Sequence, residues 1–361
     1  MYFDPRPKKR REDLYDREKE LEEFERSVRT SPLTVVTGIR RLGKTSLILV
    51  GLSDKPSVIV DLRGVPQSRE GLYRRIELGL NEFFKEHERV WQKLRRELKK
   101  VVGVQVLGSG ISLSWGEKRA DLVELLKTLE DYGVVLAFDE VQYLRGPIGR
   151  EFAEILAYLY DHSDLRIVLS GSEIGLLYDF LGVENPRAPL YGRYFREIRL
   201  EKFDYFKSRD FLVKGFEQVG LRVKREVVDY ACEKLDGIVG WLVYFGLKCL
   251  ELEPSENVVE EVLEEACKLS LDEFEKFLEK HKPGEKRIFE VARAIATGKR
   301  TWSEIKKHLE SVERRTIPDG SLNRILKTLI KASFVEKVVE GRNVCYRVAD
   351  PVLEHALSFR S

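Results

Sequence analysis

Long hydrophobic runs are missing from this sequence. No apolar stretch approaches the roughly 18 residues of a membrane-spanning helix, and the first residues are charged where a signal peptide would be apolar. The 4 cysteines show no Cys-x-x-Cys spacing and no nearby histidine pair. We therefore expect a cytoplasmic protein without a membrane segment, whose cysteines are reduced and buried.

Methionine is also nearly absent, since Met1 is the only one, and asparagine and glutamine are sparse. Charged residues make up 34% of the chain. This balance is typical of thermophilic proteins and says nothing about activity. The length of 361 residues predicts about two or three domains.

The formal net charge of +2 hides an asymmetry. Residues 283–348 carry nearly twice as many basic as acidic side chains, whereas 251–280 is strongly acidic. Such blocks are either solvated faces or surfaces for nucleic acid or intramolecular docking.

The most informative stretch is 33–50, where a β-branched run, a glycine-bounded loop and a helix-compatible run follow one another. Gly38, Gly43, Lys44 and Thr45 have the spacing G-x-x-x-x-G-K-[ST]. In this motif backbone amides surround phosphate oxygens, the lysine neutralises phosphate charge and the hydroxyl binds Mg²⁺. Because strand and helix flank the loop, an accidental glycine loop is the weaker interpretation. The predicted nucleotide-binding residues of this loop are Gly38, Ile39, Arg40, Arg41, Leu42, Gly43, Lys44, Thr45 and Ser46.

A second motif is the apolar stretch 134–138, which ends in Asp139 and Glu140. A central parallel strand delivers its last residues to the crevice where a phosphate loop also opens. We expect the first and third core strands to finish side by side there, with Asp139 on the magnesium shell and Glu140 activating water. The alternative is a surface Asp-Glu pair in a turn.

Two later positions are further candidates. Ser170, at the end of the buried stretch 165–172, could sense phosphate or water, although strand-end capping explains a serine there equally well. Arg193 is a candidate cationic finger for the phosphates, in its own chain or in a neighbour, and an ordinary ion pair is the alternative.

The remaining core sequence predicts supporting elements. Residues 6–11 form a basic, mobile arm, and 14–24 reads as a helix capped by Asp16. An insert at about 86–118 contains a helix and a hairpin, and is either a lid or a partner-binding surface. Amphipathic helices without strands follow in 201–280, and Pro283 with Gly284 marks a boundary.

The last segment predicts three helices (285–297, 301–309 and 321–332) and a hairpin (335–348) with Arg342 at its tip, which is a winged-helix arrangement. The outer face of the third helix is basic, as duplex DNA would require, but a protein-docking module is an open alternative. The residues of that face are Asn323, Arg324, Lys327, Thr328 and Lys331.

These motifs together resemble the archaeal ATPase family, which belongs to the STAND group of P-loop NTPases, relatives of the AAA+ proteins. The resemblance rests on stretches 38–47, 138–142, 169–172 and 189–193. It extends to 16–21, similar to a Gly-Arg-Glu motif flanking adenine, which makes Arg17 a base-side candidate. It also extends to 236–242, similar to a Gly-x-Pro lid motif, with Val239 in place of the proline.

The resemblance implies a parallel α/β core of the P-loop NTPase type, a helical lid and a C-terminal winged helix, with ATP and Mg²⁺ as ligands. We place the core at 1–200, the lid at 201–282 and the winged helix at 283–361. The predicted function is an ATPase switch or motor with Lys44, Glu140 and Arg193 in catalysis and Thr45 and Asp139 on the metal.

Two alternatives are considered for the function. The first is an ATP-regulated DNA-binding protein in which hydrolysis is incidental. The second, a small-molecule kinase, is disfavoured because a carboxylate that activates water would waste the phosphoryl group. Partners through the winged helix are duplex DNA or a protein, and an oligomer is required if Arg193 acts on a neighbour.

Overall fold

A five-stranded parallel sheet is the centre of the first part of the chain. The computed structural model describes residues 1–116, 120–341 and 343–359. The strands of this part are β1 (Leu33–Thr37), β2 (Ser57–Asp61), β3 (Val104–Leu107), β4 (Gly110–Leu113), β5 (Val135–Asp139), β6 (Arg166–Gly171) and β7 (Arg196–Arg199). Strands β3 and β4 pair as a separate antiparallel hairpin, and the others form the sheet in the order β2-β5-β6-β1-β7.

Helices cover both faces of this sheet. They are α1 (Glu18–Thr30), α2 (Lys44–Gly51), α3 (Arg69–Glu86), α4 (Glu88–Leu98), α5 (Leu122–Lys127), α6 (Gly146–His162) and α7 (Ile174–Leu181). Alternate residues of one strand enter different cores: Val35 packs with α3 and α6, whereas Val36 packs with α1 and α2. Burial on both faces explains why the strands read as continuous apolar runs. The predicted parallel α/β class is confirmed.

The order of the strands differs from the expectation in one respect. We expected β1 and β5 to finish side by side, but β6 lies between them and pairs with both. The prediction was wrong because apolar runs identify strands and not their neighbours. As a consequence, the end of β6, with Ser170, stands between the phosphate loop and Asp139.

The insert packs against α3, on the sheet face opposite to α2. The amide group of Asn81 donates to the carbonyl of Ile111 at 2.9 Å and accepts from its N–H at 2.8 Å. The insert therefore lies on the α3 face of the sheet, and none of its described residues lines the cavity in front of the phosphate loop. The lid interpretation thus finds no support in this position, and the partner-binding surface stays a prediction.

The next segment is helical, with α8 (Tyr205–Gln218), α9 (Arg225–Leu235), α10 (Val239–Glu251) and α11 (Glu256–Glu279). These helices share a hydrophobic core with α1 and α2. The same core takes in the N-terminal segment, because Phe3 is fully buried and fills space left by Gly215 and Gly246. The prediction of a mobile arm at 6–11 was therefore wrong. The basic composition of this stretch gave no sign that Phe3, just before it, would be buried and anchor it.

The first long helix begins later than its sequence suggested. Asp16 has a left-handed conformation (φ 49°), and Arg17 precedes the first turn of α1 without a capping side chain. The expected Asp16 cap was therefore wrong. Two acidic residues in the first turn, Glu18 and Glu20, complement the helix dipole instead.

The C-terminal part is a winged helix made of α12 (Glu285–Ala296), α13 (Trp302–Glu313), α14 (Asp319–Lys331), β8 (Val335–Glu340) and β9 (Asn343–Val348), followed by α15 (Pro351–Phe359). The predicted apolar face of α14 enters its core through Leu322, Ile325, Leu326 and Leu329. The last turns of α11 complete this core. Arg342, predicted at the hairpin tip, lies outside the described residues, and α15 was not anticipated.

Among the described residues, none of the helices combines the length and apolar character needed to cross a bilayer.

The burial of Phe3 predicts a loss of stability in Phe3→Ala. Removing a buried phenyl ring should lower the free energy of unfolding by about 3 kcal/mol, because the cavity between Gly215 and Gly246 cannot close completely. The matched control is Phe206→Ala, since Phe206 is 79% exposed. Denaturant unfolding measures both, and equal midpoints for the two variants would show that Phe3 does not anchor the N-terminal segment.

Candidate active site

The phosphate loop connects β1 to α2 in a conformation that requires glycine at its ends. Gly38 has φ 144° and Gly43 has φ 92°. A Cβ atom at Gly38 would lie 2.7 Å from the carbonyl oxygen of Leu200. Gly43 directly precedes α2, so the free N–H groups of the first turn point into the loop. The loop is therefore shaped to receive an anion.

Thr45 and Asp139 meet at the mouth of this loop. The Thr45 hydroxyl donates to Asp139 Oδ2 at 2.7 Å, and Asp139 is almost completely buried. The Ser170 hydroxyl donates to the other oxygen, Oδ1, and accepts from the N–H of Glu140 at 3.1 Å. Ser170, at the end of β6, therefore fixes both the Asp139 carboxylate and the backbone of the turn that follows β5.

Glu140 follows β5 in a left-handed conformation (φ 59°), which turns its side chain towards Lys44. Its Oε2 accepts from the Gln142 amide, from the Ser172 hydroxyl at 2.7 Å and from the Ser172 N–H at 3.1 Å. Among the described residues, Oε1 accepts no such hydrogen bond, and it lies 3.7 Å from Lys44 Nζ. Only one of the two oxygens is therefore free to accept a further proton.

Lys44 is also buried, and its ammonium donates to the carbonyls of Gly38 at 2.9 Å and Ile39 at 3.1 Å. Burial lowers the pKa of Lys44, and this effect is partly offset by Glu140 and Asp139. The lysine is thus held between the loop backbone and the carboxylates, with its charge poorly solvated.

The two carboxylates differ in protonation behaviour. Burial raises the pKa of Asp139, and the neighbouring Glu140 charge raises it further. Burial also raises the pKa of Glu140, but the Lys44 charge and the hydrogen bonds from Gln142 and Ser172 outweigh it, so its pKa lies below the ordinary value. Compared with ordinary side chains, Glu140 therefore favours its ionised form more strongly, and Asp139 favours it less.

A cavity of about 530 Å³ opens in front of these groups. Its walls come from the N-terminal segment, the phosphate loop, the turn after β5 and α10. The lining includes Pro5, Pro7, Lys8, Tyr15, Arg17, residues 40–46, Glu140, Val243, Tyr244 and Leu247. The lining combines charged and hydroxyl groups with aromatic and aliphatic side chains, a composition that suits a nucleotide.

Most of the predicted nucleotide-binding residues line this cavity, but some have partners in the chain. Gly38 and Ile39 contribute the carbonyls that Lys44 meets, and Asp139 and Ser170 lie just behind the cavity wall. Arg17 donates to the carbonyl of Glu201 at 2.6 Å and lies 4.7 Å above the Phe203 ring, and both Arg17 and Phe203 line the cavity. Its role beside the base stays a prediction.

The two loop arginines point out of the loop towards helices. Arg40 pairs with Glu173, just before α7, at 3.2 Å and with Glu273 of α11 at 3.6 Å. Arg41 pairs with Glu273 at 2.6 Å and lies 4.1 Å above the Trp241 ring. The Arg41 carbonyl accepts from the N–H of Gly240 at 2.9 Å. The loop is thus joined to α7, α10 and α11.

Arg193 does not reach the cavity of its own chain. Its guanidinium donates to Asp161 Oδ1 at 3.0 Å and to the carbonyl of Pro189, and it is not among the lining residues. The ordinary ion pair is what the chain shows. A role as a cationic finger therefore stays a prediction only for a neighbouring copy.

Sequence reasoning missed two parts of the site. Gln142, two residues after Glu140, anchors the carboxylate; its position in the turn was visible, but an amide carries no signal of its own. The N-terminal segment forms a cavity wall, and the N–H of Lys8 donates to the Ser46 hydroxyl at 3.0 Å. An aromatic pair beside two prolines in an otherwise basic stretch was the available signal.

The residues present fit a magnesium nucleotide. Mg²⁺ prefers oxygen ligands and usually takes only one or two from the protein, the rest being phosphate and water. Thr45 and Asp139 supply this set, while the described residues contain no cluster of three or more His, Cys, Asp or Glu that could hold a metal by itself.

Comparison with known proteins identifies two family profiles that match this chain. Residues 14–245 match the family profile described as an ATPase domain predominantly from Archaea. Residues 282–349 match the C-terminal winged helix-turn-helix domain of MCM proteins. No curated protein matches this chain significantly.

Among solved structures, the Walker-type ATPase PABY2304 of Pyrococcus abyssi is 35% identical, covers 99% of both chains and superposes with a TM-score of 0.82. The Thermotoga maritima RuvB branch migration motor (12% identity, 100% of both chains, TM-score 0.49) is too distant for a functional comparison. The same holds for the Aeropyrum pernix ORC1 protein in complex with DNA (15% identity, 96% and 92% coverage, TM-score 0.47). The phosphate loop, the acidic end of β5, the family profile and the 35% identical Pyrococcus ATPase show that the chain belongs to the archaeal ATPase family, joined here to a C-terminal winged helix.

Proposed function

We propose that this protein hydrolyses ATP to ADP and phosphate in a Mg²⁺-dependent reaction and uses the nucleotide state as a conformational switch. The observation that carries this proposal is the 2.7 Å hydrogen bond between Thr45 and Asp139, with Lys44 and Glu140 beside it. These four side chains meet the requirements of phosphoryl transfer to water: charge neutralisation, metal ligation and a base.

The phosphate end is formed by Lys44 and the first turn of α2. The ammonium, already poorly solvated, gains a phosphate partner when it turns from the carbonyls of Gly38 and Ile39. Bound Mg²⁺ supplies charge neutralisation on the phosphate oxygens, and Thr45 and Asp139 would hold it. Its charge would also relieve the cost of the ionised, buried Asp139.

Glu140 accepts the proton of the attacking water. Because Oε2 is occupied by Ser172 and Gln142, the proton goes to Oε1 while the water oxygen forms a bond to the γ-phosphorus and the bond to ADP breaks. A carboxylate with a lowered pKa is a weak base, so unassisted turnover is expected to be slow. A neighbour's Arg193 would supply the missing positive charge.

The nucleotide state would reach the rest of the molecule through the loop arginines. Arg40 and Arg41 are held by Glu173 and Glu273, and a triphosphate competes for the same guanidinium groups. Glu273 belongs to α11, whose first half lies in the core with α8–α10 and whose end lies in the core of the winged helix. A change at the loop is thereby passed to both units.

A second candidate function is binding of duplex DNA by the winged helix. It is favoured by Arg324 and Lys327, exposed on the outer face of α14 and without an ion pair to any described residue. In a winged helix this helix enters the major groove. Lys331, predicted for the same face, is instead paired with Asp179 of α7.

The role given to Glu140 predicts that Glu140→Gln keeps nucleotide but loses hydrolysis by about a hundredfold or more. The amide preserves shape but cannot take the proton at Oε1. The control is Glu154→Gln, which removes an exposed carboxylate paired with Arg150. ATP affinity and steady-state turnover are measured for both, and turnover of Glu140→Gln equal to wild type would exclude Glu140 as the base.

The raised pKa of Asp139 predicts that Asp139→Asn stabilises the nucleotide-free protein at neutral pH. The folded state binds this proton more tightly than the unfolded one, so ionisation of Asp139 costs stability as the pH rises through its folded-state pKa. The gain from Asn should therefore shrink on acidification. The Asp139→Asn variant should also lose the extra stability that Mg²⁺ and ATP together give to the wild type.

The control for Asp139→Asn is Asp61→Asn, at the end of the strand paired with β5. Burial raises the pKa of Asp61, but hydrogen bonds and charge from Arg63 reverse this, so its pKa is lowered. Asp61→Asn should thus lose stability at neutral pH. Thermal unfolding from pH 4 to 8 distinguishes the two, and a destabilised Asp139→Asn at pH 7 would contradict the assignment.

The DNA-binding candidate predicts salt-dependent duplex affinity that falls when Arg324 and Lys327 are both replaced by Glu. Each lost phosphate contact should reduce the slope of log affinity against log salt by about 1. Fluorescence anisotropy at several salt concentrations measures this. Absence of duplex binding at low salt, by the wild type and by variants of α7 that free α14, would remove this candidate and leave the ATPase proposal untouched.

A further inference from the structure

One side of α14 is turned towards the ATPase core. Asn323, Lys327 and Lys331 are spaced i, i+4 and i+8 and so form one stripe along the helix. This stripe lines a cleft of about 350 Å³ whose opposite wall includes Asp179 and Glu184, at and just after the end of α7. Asn323 and Lys327 are exposed within this cleft, and Lys331 is in contact with α7. We call these three residues the masked stripe.

The two helices are in direct contact at one end of the cleft. Lys331 Nζ bonds both carboxylate oxygens of Asp179, at 2.7 and 2.6 Å. The backbones approach so closely that a Cβ atom at Gly175 would lie 2.5 Å from Lys331 Cα. The Ser333 hydroxyl accepts from the N–H of Ile174, in the first turn of α7, at 2.9 Å. The interface between α7 and the end of α14 therefore contains an ion pair, a close backbone contact and a hydrogen bond to the first turn of α7.

The charges across the cleft are complementary. The masked stripe offers two ammonium groups, Lys337 of β8 adds a third, and the core offers two carboxylates. Lys331 makes an ion pair there, while Lys327 lines the same cleft, is exposed and has no ion pair with any described residue. Asp179 and Glu184 thus share a cleft with cations of α14 that a duplex could bind.

We propose that α7 occupies the nucleic-acid face of the winged helix, so that duplex DNA and α7 compete for the masked stripe. This inference rests on the DNA-binding candidate described above. A helix enters the major groove only if the duplex can surround it, and a groove about 12 Å wide cannot close around α14 while α7 lies against it. Duplex binding then requires that the winged helix leave α7, and the affinity observed is reduced by the fraction still docked.

Two substitutions weaken the docking without touching α14. Asp179→Asn removes the ion pair with Lys331, and Gly175→Ala inserts a methyl group against the Lys331 backbone. Each should tighten duplex binding, by about threefold to tenfold, because a larger fraction of molecules is open. Neither residue belongs to the nucleotide site, so ATP affinity serves as a check that each variant is folded.

Matched controls separate masking from charge and from glycine loss. Asp131→Asn makes the same change of charge at an exposed position outside the cleft, and Gly108→Ala adds a methyl group where nothing lies within 4 Å. Neither should change duplex affinity. Arg324→Glu in the Asp179→Asn background should abolish the gain, since Arg324 is an exposed cation of the same helix.

The outcomes distinguish the two proposals. Tighter binding by both cleft variants, lost with Arg324→Glu, supports masking. Duplex binding that depends on Arg324 but is equal in wild type, Asp179→Asn and Gly175→Ala would overturn masking while the DNA-binding candidate stands. No duplex binding by any variant at low salt would overturn both, because no nucleic-acid face would then exist to be covered.

Discussion

The arrangement depends on placing ionised groups inside the protein at the carboxyl end of a parallel sheet. Asp139 and Lys44 are both nearly inaccessible, and neither charge would be tolerated there alone. Ser170, Thr45 and Glu140 provide the partners, and they come from different strand ends and loops. The order of the sheet, with β6 between β1 and β5, is what brings these partners within hydrogen-bonding distance. The fold and the chemistry therefore rest on the same strand alignment.

The phosphate loop is connected to the helices around it through ion pairs. Its two arginines are paired with acidic residues before α7 and on α11. Helix α11 has 24 residues and is therefore about 36 Å long. It packs in two hydrophobic cores, so it behaves as a single rod between the α8–α10 helices and the winged helix. Helix α7 follows β6 directly and touches α14, which gives the crevice a second connection to the same unit.

Sequence reasoning predicted the features that local chemistry determines. Three features appear as expected: the glycine spacing around Lys44, the apolar runs of the strands and the period of Leu322 to Leu329 in α14. Backbone conformation and burial restrict which residues can stand at these positions, so the sequence pattern predicts them. Features that depend on distant neighbours were not predictable. Nothing local indicates that β6 separates β1 from β5, that Phe3 fits between two glycines on other helices, or that Lys331 meets Asp179. The Asp16 cap failed because a residue suited to a cap also tolerates a left-handed turn.

The N-terminal segment has a consequence for how far the crevice can open. Phe3 is sealed among α8 and α10, while the N–H of Lys8 is bonded to Ser46 in the first turn of α2. The Lys8 ammonium also gathers the carbonyls of Met1, Tyr2 and Asp4, which keeps these residues coiled. Five residue steps span at most about 18 Å when stretched. The segment thus limits how far the helices α8 and α10 can move away from the sheet. A larger movement must first extend the segment, and must then either break the hydrogen bond between Lys8 and Ser46 or remove the Phe3 ring from the core.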